Sequence, residues 1–181
     1  MTNEAEGSPI SRPLRVDDIR DGASGEIAAT EAEMAVSARL LDLLRLEGLT
    51  FAYRLRHGPA GRLRLTGSLK AAVTQSCVVS LDPVEATLDV PVEVEFWPVS
   101  LIEELEGSIE EPGSTGRFEW PEPIIDRKID LGPVIYETLA TALDPYPKRE
   151  GVSFDWSQGT AEAGGARQSG PFAALAKLKR R

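Results

Sequence analysis

The chain has 181 residues, a hydrophobic fraction of 41% and a net charge of -9 at pH 7. This length suits one ordinary domain with additional segments at its ends. The acidic balance argues against a protein that binds nucleic acid through an overall basic surface. Because Cys77 is the single cysteine, an intramolecular disulfide and a zinc site built from several cysteines are both excluded.

The sequence shows no targeting or membrane signal. It starts with MTNEAEGSP, which lacks the basic region and apolar run that are typical of a secretory signal. The apolar runs are all too short to span a bilayer. We therefore expect a cytoplasmic protein with no membrane partner.

The first predicted elements are an extended arm and a helix. Residues 9–19, PISRPLRVDDI, favour an edge strand or an extended arm, because Pro13 is excluded from the centre of a sheet. Thr30 and Glu33 have the spacing of a capping box. The leucines that follow predict an amphipathic helix over residues 31–46.

The pattern then changes to the period of two that is typical of strands. Apolar and polar residues alternate over residues 49–56, and again over residues 62–75 after the turn GPAG. Residues 84–97 alternate in the same way. Three long sequential strands predict an α+β fold in which a curved antiparallel meander, partly barrel-like, packs with two main helices.

The second main helix follows an acidic stretch. Residues 98–121 are acidic and rich in turn-forming residues, and they predict a mobile insertion. A short strand is expected over residues 123–129. The helix then begins at Asp130, a natural N-cap, and ends near Leu143, because Pro145 restricts the residue before it.

The composition divides the chain into three parts. Residues 1–156 are predicted to form a single α+β domain. Residues 157–170, SQGTAEAGGARQSG, predict a flexible linker. Residues 171–181, PFAALAKLKRR, predict a short basic C-terminal helix that is too short to be stable alone. We expect this helix to dock either on its own domain or on a partner.

The charges are segregated along the chain. Residues 49–81 contain five basic and no acidic residues, whereas residues 82–126 contain thirteen acidic residues and one arginine. A basic hairpin face is typical of a surface that contacts RNA phosphates. The competing interpretation is that cross-strand pairs with the acids of residues 84–97 neutralise this face. The candidate RNA-binding residues are Arg54, Arg56, Arg62, Arg64 and Lys70.

No arrangement of residues predicts catalysis. His57 is the single histidine, and a surface residue at the end of a hairpin is its simpler interpretation. The acids of residues 84–97 are too widely spaced for one metal centre. Aromatic stacking on bases competes with ordinary packing at Trp97, Trp120, Tyr146 and Trp156. We therefore predict a protein that is not an enzyme and has no cofactor and no metal.

Three stretches resemble the YceD family, the large ribosomal RNA subunit accumulation proteins of bacteria and plastids. They are Ile129–Gly151, Cys77–Phe96 and Pro171–Lys179. The prolines Pro145 and Pro147 follow the second main helix and form what we call the proline-rich exit. Many members have a second cysteine three residues after the first, and another after the proline-rich exit. This chain has Ser80 and Val152 at those positions. That difference favours a structural role for the cysteine loop. The positions that match the family motifs, and for which we expect structural roles, are Cys77, Asp130, Pro145, Tyr146, Pro147, Pro171 and Phe172.

The resemblance implies a non-enzymatic factor that supports synthesis, processing or accumulation of large-subunit (23S) rRNA. Its partner is then that rRNA or a precursor, contacted directly or indirectly. The alternative is an acidic adaptor in which residues 82–126 bind a basic ribosomal protein or an rRNA-processing enzyme. In that case the protein makes no direct contact with RNA.

Overall fold

A computed structural model describes residues 8–108 and 120–153. The chain divides into two units, and all the helices and strands given below belong to the first, Met1–Gly151. The predicted linker and C-terminal helix lie outside the described residues, as do Trp156, Pro171 and Phe172.

The described residues form seven strands and three α-helices. In chain order these are β1 Pro13–Arg15, β2 Ser24–Ala28, α1 Glu31–Leu40, β3 Arg45–His57, β4 Leu63–Ser76, β5 Pro83–Pro98, α2 Val99–Ser108, β6 Glu122–Ile124, β7 Lys128–Asp130 and α3 Leu131–Ala142. The main sheet has the order β2-β3-β4-β5-β6, and β1 pairs with β7 in a separate two-stranded sheet. Neighbours from β2 to β5 are antiparallel, and β6 lies parallel to β5.

The α+β class and the antiparallel meander are confirmed, but the prediction of a partly barrel-like sheet is wrong. The sheet stays open, with β2 at one edge and β6 at the other. β6 has three residues and pairs with only the last three residues of β5. Because β2 pairs only with β3, the two edges do not meet.

Helix α1 begins as predicted and ends earlier. The Thr30 side chain accepts from the Glu33 N–H and the Glu33 side chain accepts from the Thr30 N–H, so the capping box is confirmed. The predicted end at residue 46 is wrong, because Asp42 adopts a left-handed φ of 53°. The Leu43 N–H then donates to the Ala38 carbonyl over 2.8 Å, which is the closing bond of a Schellman motif.

Residues 98–121 were predicted as a mobile insertion, and the first part of this stretch, residues 99–108, forms helix α2. Leu101, Ile102 and Leu105 are half-buried on one side of this helix, a spacing that suits a helix face against a sheet. Helix α2 contacts β5 and β6. Residues 109–119 of the same prediction lie outside the described residues.

The core lies on one face of the main sheet, under α3. Asp130 is the predicted N-cap of α3, since its Oδ1 accepts from the Gly132 N–H over 2.8 Å. The helix ends at Ala142, next to the predicted end. Its apolar side packs with the inward residues of β3, β4 and β5. Fully buried members of this core include Phe51, Leu55, Leu65, Leu69, Leu131, Ile135 and Leu139.

Candidate functional site

The five candidate RNA-binding residues lie on or beside the face of the main sheet that is opposite the core, called here the solvent face. Arg54 and Arg56 belong to β3, Arg64 and Lys70 belong to β4, and Arg62 directly precedes β4. The period of two places the charged positions on this face and the leucines on the core face. The structure therefore brings the five residues to one side of the hairpin, where their environments differ.

Two of the five side chains are paired with acids of β5. Arg64 forms an ion pair with Glu93, and the Lys70 ammonium lies 3.5 Å from an Asp89 carboxylate oxygen. The Ser68 hydroxyl also donates to Asp89 over 2.7 Å, and this hydrogen bond is the main reason why the pKa of Asp89 is lowered. The predicted cross-strand neutralisation is therefore confirmed for Arg64 and Lys70.

Arg62 packs against an aromatic ring. Its guanidinium carbon lies 3.6 Å from the centroid of the Trp97 ring, a cation–π geometry. The Trp97 indole N–H in turn donates to Glu95 over 2.8 Å. The Arg62 Nε is buried and has no hydrogen-bond partner. These contacts give Arg62 and Trp97 a packing role at the end of the hairpin.

Arg54 and Arg56 remain exposed. Within the described part of the chain, neither guanidinium has an ion-pair partner. Arg56 lies directly opposite Arg64 in the register of β3 and β4, and like charges opposite each other are destabilising. The two side chains are two residues apart on one strand, about 7 Å. This arrangement presents two cations side by side to solvent, with no ion pair to any of the described residues.

His57 has contacts that explain its position. Its backbone N–H donates to Asp21 over 2.9 Å, and its ring Nε2 lies 2.8 Å from the Ile19 carbonyl oxygen. It is exposed at the end of β3, so the predicted surface position at a hairpin end is confirmed.

The cysteine motif and the proline-rich motif form one structural unit. The buried Cys77 sulfur accepts hydrogen bonds from the N–H groups of Val79, Ser80 and Arg149 over 3.5, 3.4 and 3.4 Å. The N–H of Val78 donates to the Pro147 carbonyl over 2.9 Å. The turn after β4 is therefore tied to the chain that leaves α3.

These hydrogen bonds also affect the thiol. The Arg149 N–H, followed by the groups of Ser80 and Val79, lowers the pKa of Cys77 to about 6. Arg149 also forms an ion pair with Asp82 over 2.9 Å. The sequence predicted a structural role for Cys77, and its sulfur is buried. The hydrogen bond from Arg149 was not predicted, because Arg149 lies 72 residues further along the chain.

The other described motif residues lie at the two ends of α3. Asp130 accepts from the Arg12 N–H over 2.6 Å and from the Ser11 hydroxyl over 2.8 Å, in addition to capping α3. Pro147 is buried, whereas Pro145 and Tyr146 are exposed, and Tyr146 is 76% accessible. The Tyr146 N–H donates to the Asp144 side chain over 2.9 Å.

The described residues hold neither a metal-binding cluster nor a membrane-spanning helix. No group of three or more histidine, cysteine, aspartate or glutamate side chains there is arranged to hold a metal ion. None of the described helices is long and apolar enough to cross a membrane.

Comparison with known proteins identifies a family. Residues 65–179, more than half of the chain, match the family model described as large ribosomal RNA subunit accumulation protein YceD. No curated protein and no solved structure matches the chain significantly. The matched residues include the cysteine turn, helix α3 and the proline-rich exit.

Proposed function

The chain belongs to the YceD family, and on that premise we propose that it is a non-enzymatic ribosome-biogenesis factor that contacts RNA through Arg54 and Arg56. The description of the family supports a role in accumulation of large-subunit ribosomal RNA. We propose that the protein acts in the cytoplasm on 23S rRNA or its precursor, during its synthesis, processing or stabilisation.

The observation that carries the RNA contact is that neither Arg54 nor Arg56 has an ion-pair partner among residues 8–108 and 120–153. Two exposed arginines without acidic partners in the described part of the chain add little to the stability of the fold, and the Arg56–Arg64 juxtaposition opposes folding. Phosphate oxygens would compensate these charges. Arg54 and Arg56 lie outside the matched residues, so this part of the proposal rests on geometry and charge alone.

The contacts of Arg62, Arg64 and Lys70 make the proposed RNA-binding surface smaller than the five residues predicted from the sequence. Arg64 and Lys70 would have to exchange Glu93 and Asp89 for phosphate, and Arg62 would have to leave Trp97. We therefore propose Arg54 and Arg56 as the primary contacts and the other three as neighbours that add positive charge. Net affinity is expected to be moderate and strongly dependent on salt.

The test is complementation of cells that lack the protein. The variant Arg54→Glu/Arg56→Glu changes the charge by four units, and Arg39→Glu/Lys128→Glu makes the same change at exposed positions elsewhere. We expect the control to restore the ratio of large-subunit to small-subunit rRNA and the first variant to fail. Equal restoration by both variants would contradict the proposed contact.

The alternative function, an acidic adaptor, is favoured by a different observation. All four charged side chains of β5 are carboxylates: Glu85, Asp89, Glu93 and Glu95. An adaptor would bind a basic ribosomal protein or processing enzyme and reach RNA only through it. Its complex would survive nuclease treatment and dissociate at high salt.

A further inference from the structure

Among the described residues, the edge of the main sheet at β5 is unpaired over most of its length. Strand β5 pairs with β4 from Pro83 to Phe96, whereas on its other side β6 pairs only with Phe96–Pro98. In the described part of the chain, the backbone of residues 83–94 therefore has no partner strand on that side. At about 3.4 Å per residue, the open edge is about 40 Å long.

The position of Pro91 shows which amides point outward. Proline has no N–H to donate, and in an edge strand its nitrogen faces away from the neighbouring strand. Pro91 pairs with Ser68 of β4, so its nitrogen faces the open edge. Alternation along an antiparallel strand then directs every second N–H to the same side. The outward amides are those of Glu85, Thr87, Asp89, Glu93 and Glu95.

A groove lies beside the same edge, between β5 and α3. Its volume is about 520 Å³. The strand contributes Val90, Val92 and Val94, and the helix contributes Val134, Thr138 and Thr141. A strand added at the open edge would direct alternate side chains towards this groove and the others towards the solvent face.

The charges around the edge and the groove have one sign. On the solvent face, Glu85 and Glu95 have no ion pair among the described residues. Glu122 and Glu137 line the groove, and none of its described lining residues is basic. Burial, followed by the proximity of Glu137, raises the pKa of Glu122. These carboxylates would repel the same edge of a second copy and attract lysine or arginine.

We propose that the open edge of β5 binds an extended basic segment of a partner protein as an additional strand. Apolar side chains of the segment enter the groove, and lysines or arginines lie beside the carboxylates. This proposal deepens the adaptor alternative. It does not depend on Arg54 and Arg56, because β4 separates β3 from β5. Each of the two proposals can therefore be refuted without affecting the other.

The probe is a nine-residue peptide that alternates lysine and valine, capped at both ends and labelled for fluorescence anisotropy. A peptide that alternates glutamate and valine is the charge control. We expect saturable binding of the first peptide only, weakened by added salt. Thr87→Pro removes one outward N–H from an exposed position, and it is expected to weaken binding about fivefold or more.

A second variant tests the charges without touching the backbone. Glu85→Lys/Glu137→Lys alters two exposed carboxylates that have no ion pair in the described chain, and it should weaken binding about tenfold or more. Glu26→Lys/Glu150→Lys makes the same charge change at exposed positions elsewhere. The control should stay within about twofold of the unaltered protein. Equal weakening by both double variants would overturn the proposal, because it would reveal attraction by net charge alone.

Hydrogen exchange identifies where the peptide binds. We expect the peptide to slow exchange of the outward amides of Glu85, Thr87, Asp89 and Glu93, while the already bonded Leu88 amide changes little. Unchanged outward amides would overturn the proposal. Protection that appears with rising protein concentration alone would also overturn it, in favour of a second copy of this chain. Absence of binding at millimolar concentrations of the lysine–valine peptide would also overturn the proposal.

Discussion

The backbone N–H of Arg149 donates a hydrogen bond to the sulfur of Cys77 over 3.4 Å, across 72 residues of sequence. This bond joins the cysteine turn after β4 to the proline-rich exit after α3. The sulfur accepts two further N–H groups from its own turn. Cys77 is therefore the point at which two motifs of the family are fixed to each other.

The hydrogen bonds to Cys77 predict a thiolate near neutral pH. They favour the charged form and lower the pKa to about 6. Ultraviolet absorbance of the thiolate, recorded against pH, should show a midpoint near that value, and Cys77→Ser provides the baseline. A midpoint close to that of an ordinary thiol would show that the N–H groups do not stabilise the charge.

The same group predicts how stability depends on pH. Because the pKa is lowered on folding, from 9.0 to about 6, the unfolded chain binds more protons between these values. The contribution of Cys77 is complete above pH 9 and is lost as the pH falls through about 6. The Tm advantage of the unaltered protein over Cys77→Ala should therefore grow from pH 6 to pH 9. A constant difference across this range would contradict the prediction.

The ion pair of Arg12 and Glu33 predicts that the stability of the protein depends on pH in the acid range. Arg12 donates to both carboxylate oxygens of Glu33, over 2.6 and 2.8 Å, and this is the main cause that lowers the pKa of Glu33 to about 2. Glu33→Gln keeps an acceptor for the capping box and removes the charge. Because this pair is partly exposed, we expect a loss of about 1 kcal/mol at pH 7.

The contribution of Glu33 is present above its ordinary value of 4.5 and is lost as the pH falls through about 2. Urea unfolding at several pH values should therefore show the two proteins converging below pH 4.5. Glu31→Gln, an exposed change on the same helix, should have little effect. Failure to converge would show that packing, and not charge, causes the loss.

Gly132 predicts a steric requirement at the start of α3. A Cβ atom there would lie 2.0 Å from the Ile10 carbonyl oxygen, which belongs to backbone and has little room to move. Gly132→Ala should cost about 2 kcal/mol or more in the free energy of unfolding. Gly107→Ala, with nothing within 4 Å of the added atom, is the matched control and should be neutral or slightly stabilising.

The parts of the fold that were predictable depend on local patterns. The capping box at Thr30, the cap at Asp130 and the three long strands follow from spacings of two to four residues. The end of α1 was missed because the leucines after Leu40 suit a helix as well as a strand, and only the left-handed Asp42 separates the two. β2 was missed because SGEIA has a single branched apolar residue and is held by pairing with β3.

The candidate site was predictable to the same degree. Alternation placed Arg64 and Lys70 near the acids of β5, and the structure pairs them with Glu93 and Asp89. The stacking of Arg62 on Trp97 depends on the path of the chain between the hairpin turn and β4. A short sequence spacing does not specify that path. Arg54 has no ion pair among the described residues, and this depends on its neighbours in β2 and β4. The register of the sheet determines those neighbours, and the sequence alone does not specify it.

The most direct test of the central claim is RNA binding across a salt series. Purified protein would be titrated with a large-subunit rRNA precursor, and the slope of log affinity against log salt compared with that of Arg54→Glu/Arg56→Glu. We predict that the unaltered protein binds with a slope that corresponds to several released counterions. In the variant, this number should be smaller by about two. Arg39→Glu/Lys128→Glu should keep the slope. Equal slopes for all three proteins, or no binding at moderate salt, would contradict direct contact through these arginines.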